Sequence, residues 1–144
     1  MGSQNRPAKI LPRPTSPLIR VSFFFTRHPS MSQWEFESHW RETHGRLAVA
    51  SKAFSDAKIQ QYSQIHNSRA LNEEAAKTGL PLVEFDWDAC SEMYVKNWED
   101  YLVFATSDEM RDILGPDGAR IMDPAKGVKV MVTKVDPLFM KSAL

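Results

Sequence analysis

Leu18-Ile19-Arg20-Val21-Ser22-Phe23-Phe24-Phe25-Thr26-Arg27, then His28-Pro29-Ser30-Met31, then Ser32-Gln33-Trp34-Glu35-Phe36 is the stretch that sets the architecture of this 144-residue chain. Ile19, Val21, Phe23 and Phe25 alternate onto one side and Arg20, Ser22, Phe24 and Thr26 onto the other, the period-2 signature of a strand. His28-Pro29-Ser30 ends it. Ser32 with Glu35 three positions on forms a capping box, and Met31 and Phe36 are placed for a hydrophobic staple. The spacing predicts a helix from Ser32 to about residue 54, with Trp34, Phe36, Trp40, Leu47 and Ala50 on its apolar side and Gly45 weakening its middle.

Working outward, Lys58 to His66 alternates again and reads as a second strand. Residues 67–88 are too long for a hairpin loop, so a short helix over Arg69 to Lys77 and an ordered excursion or lid ending in Glu84-Phe85-Asp86-Trp87-Asp88 are expected. Cys90 to Asn97 reads as a third strand, and Asn97 can cap a helix to Ala105. Thr106 with Glu109 predicts a second capping box, for a helix to about Leu114. Gly115-Pro116-Asp117-Gly118 reads as a turn, and Gly127 to Val135 as the last strand. The order β-α-β-β-α-β is the split-βαβ pattern of an α+β, ferredoxin-like domain. Helices on one face of such a sheet leave the other open. Simple alternation places Phe24, Tyr62 and Met131 there, too apolar a set for water, so face-to-face packing of two sheets into a homodimer is expected. Residues 1–17, with four prolines among polar residues, read as a flexible arm, and 18–144 as the domain.

Eighteen basic and eighteen acidic residues cancel, which argues against nucleic acid or an anionic membrane as partner. No apolar run approaches a membrane span. The single cysteine, Cys90, has no internal partner. A cytoplasmic, reducing location is the expectation, with Cys90 a packed thiol.

Two histidines and a tryptophan in Phe36-Glu37-Ser38-His39-Trp40-Arg41-Glu42-Thr43-His44 suit a small-molecule pocket better than a core. On an α-helix, residues five apart point about 140° away from each other. His39 and His44 are therefore expected to serve different places, His39 as scaffold and His44 as either an exposed imidazole or a pocket residue. The spacing does not match the His-x-x-x-His zinc pattern, so no metal site is expected. Tyr62, Gln64 and His66 share one strand face and suit a polar wall facing a cavity. Arg27 could orient a carboxylate or pair with the acidic run at 84–88. Trp40, Phe24, Tyr94 and Met131 complete the expected pocket lining. Nucleotide-binding glycine motifs and the Gly-x-Ser-x-Gly nucleophile elbow are absent.

Phe25-Thr26-Arg27-His28-Pro29, Ser32-x-x-x-Phe36-x-x-His39-Trp40-x-x-x-His44 and Tyr62-x-Gln64-x-His66 together resemble the EthD family of dimeric α+β barrel proteins, in particular fungal members of aromatic polyketide pathways. The resemblance implies a ferredoxin-like subunit, a homodimer joined sheet to sheet, and a cofactor-free site between each sheet and its helices. The activities it implies include decarboxylation without fixing one reaction, and a cofactor-independent decarboxylase acting on an aromatic polyketide carboxylic acid is the leading expectation. His44 and His66 would then be general acid and base, with Tyr62 and Gln64 holding substrate oxygens. Cyclase or dehydratase chemistry, cofactor-free oxygenation, or ligand binding without turnover fit the same scaffold.

Overall fold

The computed structural model describes residues 6–84 and 86–141. Positions 1–5 of the expected arm, Phe85 of the acidic-aromatic run and the last three residues of the expected domain lie outside the described residues. Four strands, β1 (Leu18–Phe25), β2 (Gln61–His66), β3 (Ala89–Val95) and β4 (Lys129–Val135), form one antiparallel sheet in the order β2-β3-β1-β4. The first crossover holds α1 (Gln33–Ser38), a π-helical segment (His39–His44), α2 (Gly45–Ala50) and α3 (Lys52–Asp56). After β2 comes α4 (Arg69–Ala76); the second crossover holds α5 (Trp98–Ala105), a second π segment (Met110–Leu114) and α6 (Gly115–Ile121). This is the expected ferredoxin-like α+β arrangement.

The starting signals acted as predicted. Ser32 and Glu35 form both bonds of the capping box, Phe36 is fully buried, and Met31 packs against its cluster. Asn97 caps α5 through its side chain. At the next start the cap is Ser107, whose hydroxyl accepts from the Met110 N–H at 3.0 Å, rather than Thr106. Glu109 instead reaches the first crossover. Its carboxylate accepts from the Lys52 and Ala53 N–H groups at 3.1 and 2.7 Å and supplies acceptors that the first turn of α3 lacks.

Gly115-Pro116-Asp117-Gly118 is not a turn. Proline has no N–H and would break an α-type ladder in mid-helix. Here the preceding π segment has already shifted the bonding to i→i+5, closing with the Gly115 N–H on the Met110 carbonyl, so the helix continues through Pro116. The first π segment closes in the same way, with the Gly45 N–H on the Trp40 carbonyl. Gly45 and Gly115 fall at equal distances after the ends of β1 and β3. The two βαβ halves therefore share a bulged helix, although the chain carries no legible repeat.

Register decides which residues face the helices. Val21 lies between Met93 and Val132, Phe23 between Ser91 and Val130, and Tyr62, Gln64 and His66 pair with Met93, Ser91 and Ala89. All lie on the helix side, where Val21, Met93, Ala48, Ala53, Phe104 and Leu114 form the main core. Tyr62 thus belongs to the helix side, not to the open face predicted for it. The simple alternation carried no information on which side of an isolated strand meets the helices. Phe24 and Met131 do lie on the open face, with Arg20, Ser22, Cys90, Glu92, Tyr94 and Thr133. The centre of that face is more polar than expected. Arg20 donates to Thr133 at 3.1 Å and lies 3.8 Å from Glu92, which accepts from Tyr94 at 3.0 Å and from Ser22 at 3.4 Å.

A Cβ at Gly115 would fall 2.8 Å from the Met110 carbonyl oxygen, a backbone atom with little freedom to yield. Gly→Ala in an ordinary helix stabilises by about 0.8–1.0 kcal/mol. At this bulge the sign reverses: we predict that Gly115→Ala destabilises by about 1–3 kcal/mol in urea titrations. A variant as stable as the parent would remove the steric account of the bulge.

Candidate functional site

The two π segments and the helix side of the sheet enclose a cavity of about 410 Å³. Its walls are mostly apolar, from Phe23 and Phe25 on β1, Trp40 on the first π segment, and Phe104, Leu114 and Ile121 on the second crossover. Three polar side chains besides the Trp40 indole reach it: His44, Tyr62 and Ser91. None of the residues in its lining is Lys, Arg, Asp or Glu. A polar atom presented to such a space has few competing partners, so each one present orients whatever enters.

His44 is held from behind. Its Nδ1 lies 2.9 Å from Oδ2 of Asp117, and the other oxygen, Oδ1, lies 3.0 Å from Nε2 of His39. The two imidazoles expected to point apart therefore grip one carboxylate. The correction is geometric. An α-helix turns residues five apart away from each other, whereas i→i+5 bonding over His39–His44 adds one residue to the turn and swings the two towards the same side. Asp117 is buried. Burial pushes its carboxyl up, but hydrogen bonds from His39 and His44, then their charge, outweigh this and hold it below the usual carboxylate value of 3.8. An ionised carboxylate only accepts, so His44 presents N–H at Nδ1 and leaves Nε2 as the nitrogen without a hydrogen-bond partner among the described residues.

Tyr62 stands on β2, with its hydroxyl 3.2 Å from the Gln64 amide nitrogen. That amide also donates to the Trp40 carbonyl at 2.9 Å, on the π segment. Gly45 permits this approach, because a Cβ there would sit 3.1 Å from the Gln64 nitrogen and 3.2 Å from the Trp40 oxygen. Burial pushes the Tyr62 phenol up, opposed by hydrogen bonds from Gln64 and Ser91. Tyr62 therefore stays a neutral hydroxyl that donates or accepts at ordinary pH.

Of the residues expected in the pocket, the structure brings Trp40, His44 and Tyr62 to the cavity, with Gln64 behind them. His66 packs on Trp40 at 4.8 Å between ring centres, lies 3.8 Å from Glu37, and is not part of the cavity lining. The expected pairing of His44 and His66 within one cavity therefore does not form. Phe24, Tyr94 and Met131 lie on the opposite face of the sheet. Arg27 does not line the cavity: its guanidinium donates to the Met31 carbonyl, and its backbone N–H donates to Asp88 at 2.7 Å. No described residue of 67–88 lines the cavity. Trp87 packs on Phe24 at 6.4 Å on the other face, so the expected lid does not cover this site. Cys90 is a buried thiol, pushed up to about 11 by burial and by Glu92.

With this geometry in place, comparison with known proteins decides the family. The EthD domain matches residues 28–125, well over half of the chain. The protein belongs to the EthD family. An ethyl tert-butyl ether D (EthD) family protein from Bacillus halodurans superposes with a TM-score of 0.54 at 16% identity, covering 81% of this chain and 96% of its own. A dimeric ferredoxin-like protein of unknown function from Thermobifida fusca gives 0.55 at 10% identity, covering 84% and 93%. A dimeric ferredoxin-fold protein of unknown function from Bacteroides fragilis gives 0.54 at 12%, covering 82% and 96%. No curated protein sequence matches the chain. Among the described residues, no helix of this EthD protein is long and apolar enough to cross a membrane.

The Asp117 contact makes a pH prediction. A carboxyl whose value is lowered in the folded state stabilises the fold above its unfolded value, and this contribution is lost as pH falls through the folded value. At neutral pH Asp117→Asn should unfold at lower urea than the parent. The gap should narrow as pH drops below about 4. A gap that stays constant down to about pH 2.5, well below ordinary carboxyl values, would contradict the assignment.

Proposed function

We propose that this EthD protein is a cofactor-independent lyase that decarboxylates a phenolic, polyketide-type aromatic carboxylic acid, working as a homodimer joined through the open sheet faces. The observation that carries the reading is His44: its Nδ1 is fixed by Asp117 while the ring borders a cavity whose other polar side chains are few. An imidazole can take up a proton at one ring nitrogen while the other stays hydrogen-bonded, which suits general acid–base work.

In the proposed step, protonated His44 delivers a proton from Nε2 to the ring carbon that bears the carboxylate. The phenol oxygen, ortho to that carbon, accepts a hydrogen bond from Tyr62 or Ser91 as the ring loses aromaticity. The C–C bond then breaks, carbon dioxide leaves, and its bonding electrons restore the ring. His44 recovers its proton from solvent, so the net change is one proton consumed and one carbon dioxide released. Asp117 orients the imidazole and offsets its positive charge. The apolar walls favour this direction because a localised carboxylate charge is poorly accommodated there and disappears as carbon dioxide forms.

A second reading has its own support. Among the described residues the lining holds no lysine or arginine to receive a carboxylate, which suits a neutral polyketone, and a neutral His44 would then remove a proton alpha to a carbonyl whose oxygen Tyr62 holds. This is cyclase or dehydratase chemistry. For the dimer, the support is the apolar rim of the open face, Phe24 and Met131, and the dimeric description of the Thermobifida and Bacteroides proteins.

The test is product analysis with two panels, hydroxylated naphthoic and anthracene carboxylic acids for the lyase and open-chain aryl polyketones for the second reading. Stoichiometric carbon dioxide supports the lyase; loss of water, or unchanged mass in a cyclised product, supports the second reading. His44→Ala should lower kcat by about 100-fold or more, within the range of general acid–base catalysis. Tyr62→Phe should lower it about tenfold, by removal of one hydrogen bond. Full activity of His44→Ala on a verified substrate would defeat the role given to His44 in both readings, whereas binding without turnover of any compound in either panel would leave a binding protein.

A further inference from the structure

Asp117 has two oxygens and two imidazole partners, and the second partner has no part in the reaction proposed above. His39 is half-buried, sits at the first position of the π segment, and reaches Asp117 Oδ1 at 3.0 Å. His44, at the last position of the same segment, takes Oδ2 at 2.9 Å. The carboxylate itself comes from α6, in the other half of the chain. Among the described residues, these two rings are the hydrogen-bond and ion-pair partners of the Asp117 side chain.

We propose that His39 is a positioning residue: by donating from Nε2 to Oδ1, it locks the Asp117 carboxylate so that Oδ2 holds His44 as its Nδ1–H tautomer, with Nε2 left as the proton-exchanging atom. The inference rests on His44 being the acid–base group.

The physical case is one of satisfied lone pairs. A carboxylate with a single donor can rotate about its Cβ–Cγ bond and offer either oxygen to that donor. Two donors at fixed positions on one helical turn remove this freedom, one oxygen to each ring. An imidazole has two tautomers, and the hydrogen bond made by one nitrogen decides the state of the other. A free carboxylate torsion would carry both oxygens off the line of Nδ1, break that hydrogen bond part of the time and so release the choice. Removing His39 would also leave a buried oxygen without its donor, a penalty that reorientation of Asp117 relieves. The π segment is what brings the rings together, since α-helical bonding over the same residues would send them apart. π bulges recur at functional sites, and here the bulge has an evident task.

The experiment reads the tautomer directly and needs no substrate. Nitrogen-15 NMR of the full chain's imidazoles, at about pH 8 where ordinary imidazoles are neutral, should show His44 with a protonated, pyrrole-type Nδ1 and a pyridine-type Nε2. His39→Gln places an amide N–H near the position of Nε2 and should keep that split. His39→Ala should make the two His44 shifts converge as the tautomers mix. Asp117→Asn should convert His44 towards the Nε2–H form, because the amide N–H then donates to Nδ1. With a substrate in hand, His39→Ala should lower kcat with little change in KM, and His39→Gln should restore it.

An unchanged His44 split in His39→Ala would overturn the proposal. So would an equal loss in the Ala and Gln variants, the mark of a merely structural role. Should His39→Ala fail to fold, the spectra of His39→Gln and Asp117→Asn still decide. Because the spectra involve no turnover, failure of the decarboxylase assay leaves this result standing, and failure here leaves the assay interpretable.

Discussion

A buried carboxylate needs partners, and most of this structure can be understood from the way Asp117 obtains them. It sits on the second crossover and takes both of its hydrogen bonds from the first, from His39 and His44. The cost of burying a charge is large unless it is met by good donors. Two imidazoles on a single helical turn meet it only if that turn is a π turn. The π turn in turn needs Gly45 beside the Trp40 carbonyl, where Gln64 also docks and so ties the segment to β2. On the second crossover, Gly115 and the neighbouring π segment let the helix run through Pro116, which delivers Asp117. Glu109 adds a second link between the halves by capping α3.

The functional consequence is a division of labour across the sheet. The helix side holds an apolar cavity with one oriented imidazole, a phenol and a serine hydroxyl. The opposite side holds the Arg20–Glu92–Tyr94 network, with Phe24, Trp87 and Met131 around it. A polar centre with an apolar surround is compatible with the sheet-to-sheet dimer proposed above, because the charges are already mutually satisfied and their placement can set register between two sheets.

Much of the fold was legible. The alternation in β1, the capping box at Ser32 and the Asn97 cap are local signals, and local signals survive into the structure because their partners lie within a few residues. The failures were also informative. Thr106 and Glu109 matched a capping-box pattern, yet Ser107 caps the helix and Glu109 serves α3. The dipeptides at 115–118 match a turn equally well, and only the adjoining bulge made them helical. At the site, Tyr62, Gln64 and His66 were correctly grouped on one strand face, but His66 then met Glu37 and Trp40 at the outer side instead of the cavity. Asp117 could not be found. It is 73 residues from His44 and sits in a stretch with the composition of a loop.

The sequence by itself determined the element order, the ferredoxin-like class, the neutral net charge and the candidacy of His44 and Tyr62, since each depends on residue type and short spacing. Tertiary structure alone decided which face of each strand meets the helices, that His39 and His44 converge, and that Asp117 joins them. The physical reason is that helix periodicity is itself a tertiary outcome here. Whether residues five apart diverge or align depends on one extra residue in a turn, and the stability of that turn comes from Gln64, Gly45 and Asp117, which the chain brings together only by folding.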